Sequence, residues 1–230
     1  MQALLYDVHG NLPALEAVIA DARAAGASSW VLGGDYALFG GWPAETVARL
    51  RELEPALWIR GNGERWTADP AAAPDQPVVQ GAIAAAREAL GAETVAALGA
   101  LPFDAVDGDT LICHGSPVSD VRSFLPEPAE DEDELLAGVS KTRIVFGHTH
   151  LPFRRTAGDV ELVNPGSVGM PFDGDTRAAY ALVHPGGGVE HRRVDYDHAA
   201  SAARVGDAFG HAEWTRTVAR RIEMARMNVD

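Results

Sequence analysis

Ala3-Leu4-Leu5-Tyr6-Asp7-Val8-His9-Gly10-Asn11 is the stretch on which the fold turns. A short apolar run stops abruptly at polar side chains, as a buried parallel strand does at its C-terminal end. Leu12, Leu15, Ile19 and Ala22 then repeat at helical spacing, and Gly26 supplies a stop. The pattern recurs downstream. Trp30-Val31-Leu32 ends in Gly33-Gly34-Asp35, and a helix is predicted over about 43–54, with Pro43 in its first turn and Val47 and Leu50 on one face. Leu57-Trp58-Ile59 is a third strand and runs into Gly61-Asn62. This is a βαβαβ unit, whose right-handed crossovers make the strands parallel.

From 67 to 101 the composition shifts to Ala and Pro with helical periodicity, which predicts two helices near 78–90 and 93–98 in a small inserted cap. A hairpin is predicted over 103–113 around Asp107-Gly108-Asp109. A loop rich in Pro and acid, 116–134, leads to a strand at 143–146, and two-residue alternation returns at 160–163, 178–183 and 189–194. The tail over 198–227 reads as helical, with Val218, Ile222 and Ala225 on one face that suits packing on this domain or on a second copy in a homo-oligomer. No linker divides the chain, so 1–230 is expected to be one α/β domain of two facing sheets with helices outside.

Bulk properties narrow the function. One cysteine, Cys113, excludes an internal disulfide framework and a cysteine-based zinc site. No signal pattern precedes Asp7, and no apolar run approaches the ~20 residues of a membrane span, so a cytoplasmic location is expected. A net charge of −14 argues against coating nucleic acid, which requires a basic stripe.

The chemistry sits where apolar strands stop: Asp7, His9 and Asn11; Asp35; Asn62; His114; His148 and His150. Open α/β sheets gather ligands at that edge. Taken singly, most have a plain structural reading. Asp7-Val8-His9 and Gly33-Gly34-Asp35 suit turns, Asn11 suits a helix cap, and His114 suits a satisfied core histidine. Gly147-His148-Thr149-His150 is harder to dismiss, because His at i and i+2 after a strand makes a ready metal pair. Oxygen and imidazole donors without thiolate suit Mn, Fe, Zn, Ni or Co. Two such cations within ~4 Å polarise a phosphoryl group and activate water near neutral pH, and a carboxylate such as Asp35 can bridge them.

In their order, Asp7-x-His9, Gly34-Asp35, Gly61-Asn62, His114-Gly115 and Gly147-His148-Thr149-His150 resemble the five motif blocks of the calcineurin-like metallophosphoesterase superfamily. Asn164-Pro165-Gly166-Ser167-Val168-Gly169 looks like the closing block of its small bacterial phosphodiesterase-like branch. The resemblance implies a four-layer α/β/β/α sandwich of two mixed sheets with a dinuclear site at one edge. It implies Asp7, His9, Asp35 and His150 on one metal and Asp35, Asn62, His114 and His148 on the other. The activity implied is hydrolysis of a small phosphoester, most simply a phosphodiester, by a hydroxide bridging two divalent ions, with Mn first among the candidates. Asn11, Asn62 and Asp35 are then the expected catalytic side chains, and Asn11 and Arg65 the expected substrate contacts.

The third block departs from the superfamily pattern. Many members carry His after Gly-Asn, where it assists the leaving group, whereas this chain reads Gly61-Asn62-Gly63-Glu64. Glu64 or Arg65 would be the substitute. Phe39, Trp42, Trp66, Phe124 and Phe153 are candidate stacking partners for a base or aryl group, and Arg154 is a further phosphate contact. Two alternatives follow. The absent His is a step towards a metal-binding scaffold with little catalysis, although every metal ligand is intact. Gly34-Asp35-Tyr36 is compatible with a dinucleoside-polyphosphate hydrolase, but no Arg-Gly extension follows it.

Overall fold

A computed structural model describes residues 1–229. Strands β1 (Gln2–Leu5), β2 (Ser29–Leu32) and β3 (Ala56–Trp58) are parallel, pairing Leu5 with Leu32 and Leu32 with Trp58. Helices α1 (Leu12–Ala24) and α2 (Pro43–Leu50) make the crossovers. α1 buries Leu15, Val18, Ile19 and Ala22, three to four residues apart, on the sheet. α2 stops four residues short of its expected end. Leu53 turns into the core, and Glu54 precedes Pro55, a position where helical backbone is disfavoured.

Helix α3 (Asn62–Ala68) begins directly at the third motif block, where no helix was expected. α4 (Pro77–Gly99) is two helical pieces broken at Gly91 (φ 73°, ψ 159°), as the periodicity predicted, and packs against α2 and α3. The hairpin of β4 (Asp104–Asp107) and β5 (Thr110–Cys113) opens the second sheet, joined by β6 (Arg143–Val145), β7 (Phe153–Ala157) and β8 (Val160–Asn164). β9 (Ala178–Val183) and β10 (Val189–Val194) return to the first sheet, with β9 antiparallel to β1. Among the described residues there are thus two mixed five-stranded sheets, β10-β9-β1-β2-β3 and β4-β5-β6-β8-β7.

Leu4, Tyr6, Val31 and Ile59 meet Ile112, Val145 and Val163 between the sheets. Leu5, Leu32 and Tyr180 on the outer face of the first sheet meet Leu15, Val18, Val47 and Leu50 from α1 and α2. Each such side chain contributes about 1.5–3 kcal/mol on burial. The fourth layer is thin: Ile144, Phe146 and Leu162 lie under Phe124 and Leu135, where the only helix among the described residues is the one-turn α5 (Glu132–Leu135). The tail divides at Gly210 (φ 82°) into α6 (His198–Phe209) and α7 (Glu213–Met224). Val205, Val218 and Ile222 close over Met170, so the apolar face of α7 is covered by its own chain. Among the described residues no helix is long and apolar enough to cross a membrane.

Candidate metal centre

The parallel strands β1, β2, β3, β5 and β6 end at one edge, and each delivers a motif block there. The chain must reverse sharply to keep these side chains inward. Asp7 (φ 53°), His9 (50°), Asp35 (57°), His148 (67°) and His150 (59°) all take left-handed backbone, which costs a non-glycine residue about 1 kcal/mol or more. Clustered strain of this kind marks a site that the surrounding structure over-determines.

Two groups of donors converge. Asp7, His9 and His150 form one, and Asp7, Asp35 and His114 the other, all of them buried. Asp7 Oδ1 is shared, 3.5 Å from His150 Nε2, 3.8 Å from His114 Nε2 and 4.0 Å from His9 Nε2. Asp35 spans the same gap, with Oδ2 3.9 Å from His9 Nε2 and Oδ1 3.5 Å from His114 Nε2. The Asn62 amide lies 2.9 Å from His148 Nδ1 and 3.1 Å from His114 Nε2. All seven ligand candidates therefore stand at one edge.

Burial sets the protonation states. It pushes the Asp7 carboxyl up to about 8, nearby His114 opposing the shift, and holds Asp35 well above the usual carboxylate range, with Glu64 adding to the effect. It holds His9 down to about 3, His148 to about 4 and His150 well below its ordinary value. Neutral imidazoles beside protonated carboxyls are not ion pairs.

The donor set fits metal ions. His9 Nδ1 donates to Leu38 O (3.1 Å), His150 Nδ1 to Met170 O (2.6 Å) and His114 Nδ1 to Gly33 O (2.8 Å). The neutral rings of His9 and His150 therefore keep their Nε2 lone pairs facing the site, and His114 turns its Nε2 the same way. His9 Nε2 and His150 Nε2 then lie 3.0 Å apart, lone pair to lone pair, with no proton for either to donate. Asp7 Oδ1 is buried without a hydrogen-bond partner. A cation satisfies all of these atoms at once.

Glu64, a candidate leaving-group acid by sequence, is a structural keystone instead. It is buried, and its carboxylate accepts three backbone N–H groups at 2.8 Å: Asp35 and Gly61 at Oε2 and Tyr36 at Oε1. It thereby fixes the Asp35 turn and the start of α3 together. Glycine is required between them, since a Cβ on Gly61 would fall 2.2 Å from Asp35 Oδ1. The closing block does similar work: Ser167 Oγ donates to Asp7 O (2.7 Å) and Asn164 Nδ2 to Gly147 O (3.0 Å).

Several expected contacts take other roles. Asn11 is 1% exposed; its Oδ1 caps α1 at Ala14 N (3.4 Å), and its Nδ2 donates to Gly169 O (2.8 Å) and Tyr196 Oη (3.2 Å). That amide is engaged at both ends and has nothing left for a phosphate. Arg65 is committed to Asp120 through Nε (2.6 Å) and Nη2 (2.7 Å). Phe124 is buried against Phe146, as is one face of Phe153. Trp66 packs beside Leu38 and Val79, Trp42 lies under the Arg204 guanidinium, and Arg154 pairs with Glu161. Of the five aromatics only Phe39 adjoins the centre, 5.4 Å from the His9 ring. Phe172, which the sequence reading passed over, stacks on His150 at 4.3 Å.

The profile of the calcineurin-like phosphoesterase superfamily domain matches residues 2–187. The uncharacterized protein MJ0912 of Methanocaldococcus jannaschii is 29% identical over 220 residues, 86% of this chain and 88% of its own. The phosphodiesterase YfcE of Escherichia coli is 29% identical over 188 residues, 77% of this chain and 83% of its own. The structure of a metallophosphoesterase from Sphaerobacter thermophilus superposes with a TM-score of 0.83 at 28% identity, over 97% of this chain and 98% of that one. Sequence, sheet order and the buried Asp/His centre agree, and the chain belongs to the calcineurin-like phosphoesterase superfamily.

Proposed function

We propose that the protein is a dinuclear metal-dependent phosphodiesterase acting on a small phosphoester. The observation that carries the reading is the pair of Nε2 lone pairs on His9 and His150, 3.0 Å apart beside the unpartnered Asp7 Oδ1. Asp7, His9, Asp35 and His150 would hold one ion, and Asp35, Asn62, His114 and His148 the other, and Asp7 Oδ1 lies within 4.0 Å of His9, His114 and His150 Nε2. Such ions, when bound, polarise the phosphoryl group and lower the pKa of water. The protein's own part is to fix the ligands, exclude bulk water from them and leave the substrate phosphate the open side. With Nε and one N–H of Nη2 on Asp120, Arg65 retains its Nη1 and the second Nη2 N–H for a substrate oxygen. The imidazole-rich set favours Mn²⁺ or another transition ion over Mg²⁺, which prefers oxygen donors and keeps its waters.

Among the described residues, the third motif block offers no free side chain to protonate a leaving group. Gly63 N donates to Asp35 Oδ1 (2.7 Å), Glu64 is spent on backbone amides and Arg65 on Asp120. The substrates favoured are diesters whose leaving group departs without a proton. Metal analysis of the purified protein beside a phosphoester panel tests the reading. Two ions per chain and turnover that chelation abolishes and Mn²⁺ restores are expected; full activity after exhaustive chelation overturns it.

A further inference from the structure

The superfamily match ends at 187, and α6 and α7 lie beyond it. α7 nevertheless brings its last turn to the metal centre. Its cap residue Ala225 accepts the Gly174 N–H at 3.0 Å. Gly174 closes the loop that carries Met170, whose carbonyl holds His150 Nδ1, and Phe172, whose ring stacks on His150. Val218 and Ile222 pack in one cluster with Met170, Phe172 and Phe39, the last of these against His9. Arg221 belongs to this turn, next to Ile222 and three residues after Val218.

Arg221 is half-buried, and its one hydrogen bond among the described residues runs from Nε to Met227 O, 2.9 Å. No carboxylate among the described residues pairs with it, and burial alone lowers its pKa. The half-buried Arg143, Arg155 and Arg193 each hold an acid: Glu161, Glu132 and Asp173. Arg204 is likewise half-buried with no acid paired to it among the described residues, but it donates to Gly41 O and lies over the Trp42 ring, whereas Arg221 has Met227 O alone, and desolvating a charge is unfavourable unless something compensates it.

We propose that Arg221 binds the non-bridging oxygens of the substrate phosphate beside His9 and His150, so that the C-terminal helices complete the active site. The inference rests on the phosphoesterase reading above. A guanidinium offers paired N–H donors that match phosphate geometry, and partial burial strengthens the contact. Because α7 is anchored through Gly174 to the loop that orients His150, the arginine and the metal ligand are positioned by one piece of structure.

The probe is inorganic phosphate, titrated calorimetrically into the Mn²⁺-loaded protein. Arg221→Gln keeps a side-chain N–H for Met227 but removes the charge, and Arg221→Lys restores it. Phosphate is expected to bind Arg221→Gln about 10-fold more weakly or worse, with metal content and Tm unchanged, and Arg221→Lys to recover part of the loss. Unchanged affinity in Arg221→Gln, no recovery in Arg221→Lys, or no phosphate binding by the parent overturns the proposal. A measurement on the parent alone guards against a variant that misfolds: bound phosphate should protect Arg221, and not exposed Arg220, from phenylglyoxal. Absence of protection overturns it equally. A parent that binds phosphate through Arg221 but hydrolyses no phosphoester leaves the anion site standing and removes the catalytic reading.

Discussion

Glu64→Ala is the substitution whose cost the structure defines best. The carboxylate receives three buried N–H groups at 2.8 Å, from Asp35, Tyr36 and Gly61. A buried donor left without a partner costs about 1–3 kcal/mol, so three independent losses would cost about 3–9 kcal/mol. Two effects reduce that figure. Water enters the space left by the side chain, and the burial of a charge is itself relieved. About 3–4 kcal/mol remains, which for a chain of this length lowers Tm by roughly 6–16 °C. Glu64→Gln should cost less but not nothing, because its amide presents a donor to at least one of the three donors.

The functional consequence travels through two of the three bonds. Asp35 N and Gly61 N stand beside the ligands Asp35 and Asn62, so loosening them should weaken metal binding as well as the fold. Thermal unfolding of metal-free and Mn²⁺-loaded Glu64→Ala, with ion content by elemental analysis, separates the effects. The metal-free Tm should fall by the amount above and the loaded protein should need more Mn²⁺ for saturation. A variant within ~2 °C of the parent and still holding both ions would refute the keystone role. A variant that kept its stability but lost only alkyl-ester turnover would restore Glu64 as a leaving-group acid.

Asp7→Ala and Asp35→Ala should each empty both metal positions, since both carboxylates reach both groups, whereas His148→Ala should lose one ion; elemental analysis counts them. Metal binding at pH 7 should release one to two protons per chain, taken from Asp7 and Asp35 and not from His9, His148 or His150, as titration in buffers of different ionisation enthalpy reads out. The Asp7 pKa is raised, so its contribution to the metal-free fold is complete below the unfolded value near 4 and is lost as pH rises through about 8. The depressed histidines act in the opposite sense only below their unfolded value of about 6.5. Between pH 6.5 and 8 the metal-free protein should therefore lose about 2 kcal/mol through Asp7 alone, a fall in Tm that bound metal removes. Aryl phosphodiesters should turn over at least ~10-fold faster than alkyl diesters of similar size, and a flat dependence on leaving-group pKa would reveal an acid not identified above. Gly63→His is a poor route to supplying one, because its Cβ would fall 2.8 Å from Asp35 Oδ1 and displace the carboxylate.

The sequence was legible where its signals are local. Apolar runs ending in Asp7, Asp35, Asn62, His114 and His148 placed the parallel strand ends, and the fold then had to collect them at one edge. It was less legible where a tertiary contact decides. Glu64 reads as a surface acid after a Gly-rich turn, and only the approach of the Asp35 turn shows what it holds. α3 escaped notice because its first two residues are Asn62 and Gly63, poor helix formers that Glu64 rescues from the N3 position. β7 carried its own signal, unread: Phe153, Arg155 and Ala157 alternate inward, and Gly158-Asp159 makes the hairpin turn. The return of β9 to the first sheet has no local signature, since one hydrophobic strand suits either sheet. Asn11 was open between cap and ligand by sequence, and its three hydrogen bonds decide for the cap.

The centre departs from the rules that govern the rest of the molecule. Five left-handed non-glycine residues, a carboxylate oxygen with no donor and two lone pairs in contact would each weaken an ordinary core. They are held in place by contacts that owe nothing to metal: Glu64 on three amides, Ser167 on the Asp7 carbonyl, Asn164 on Gly147, and carbonyls behind His9, His114 and His150. Because those contacts are already formed, a cation finds its donors positioned and needs little ligand ordering, so more of its binding free energy appears as affinity. The same argument explains why the unfavourable features gather at one edge. Each is a donor atom withheld from a protein partner, and a donor with a protein partner could not also serve a metal ion.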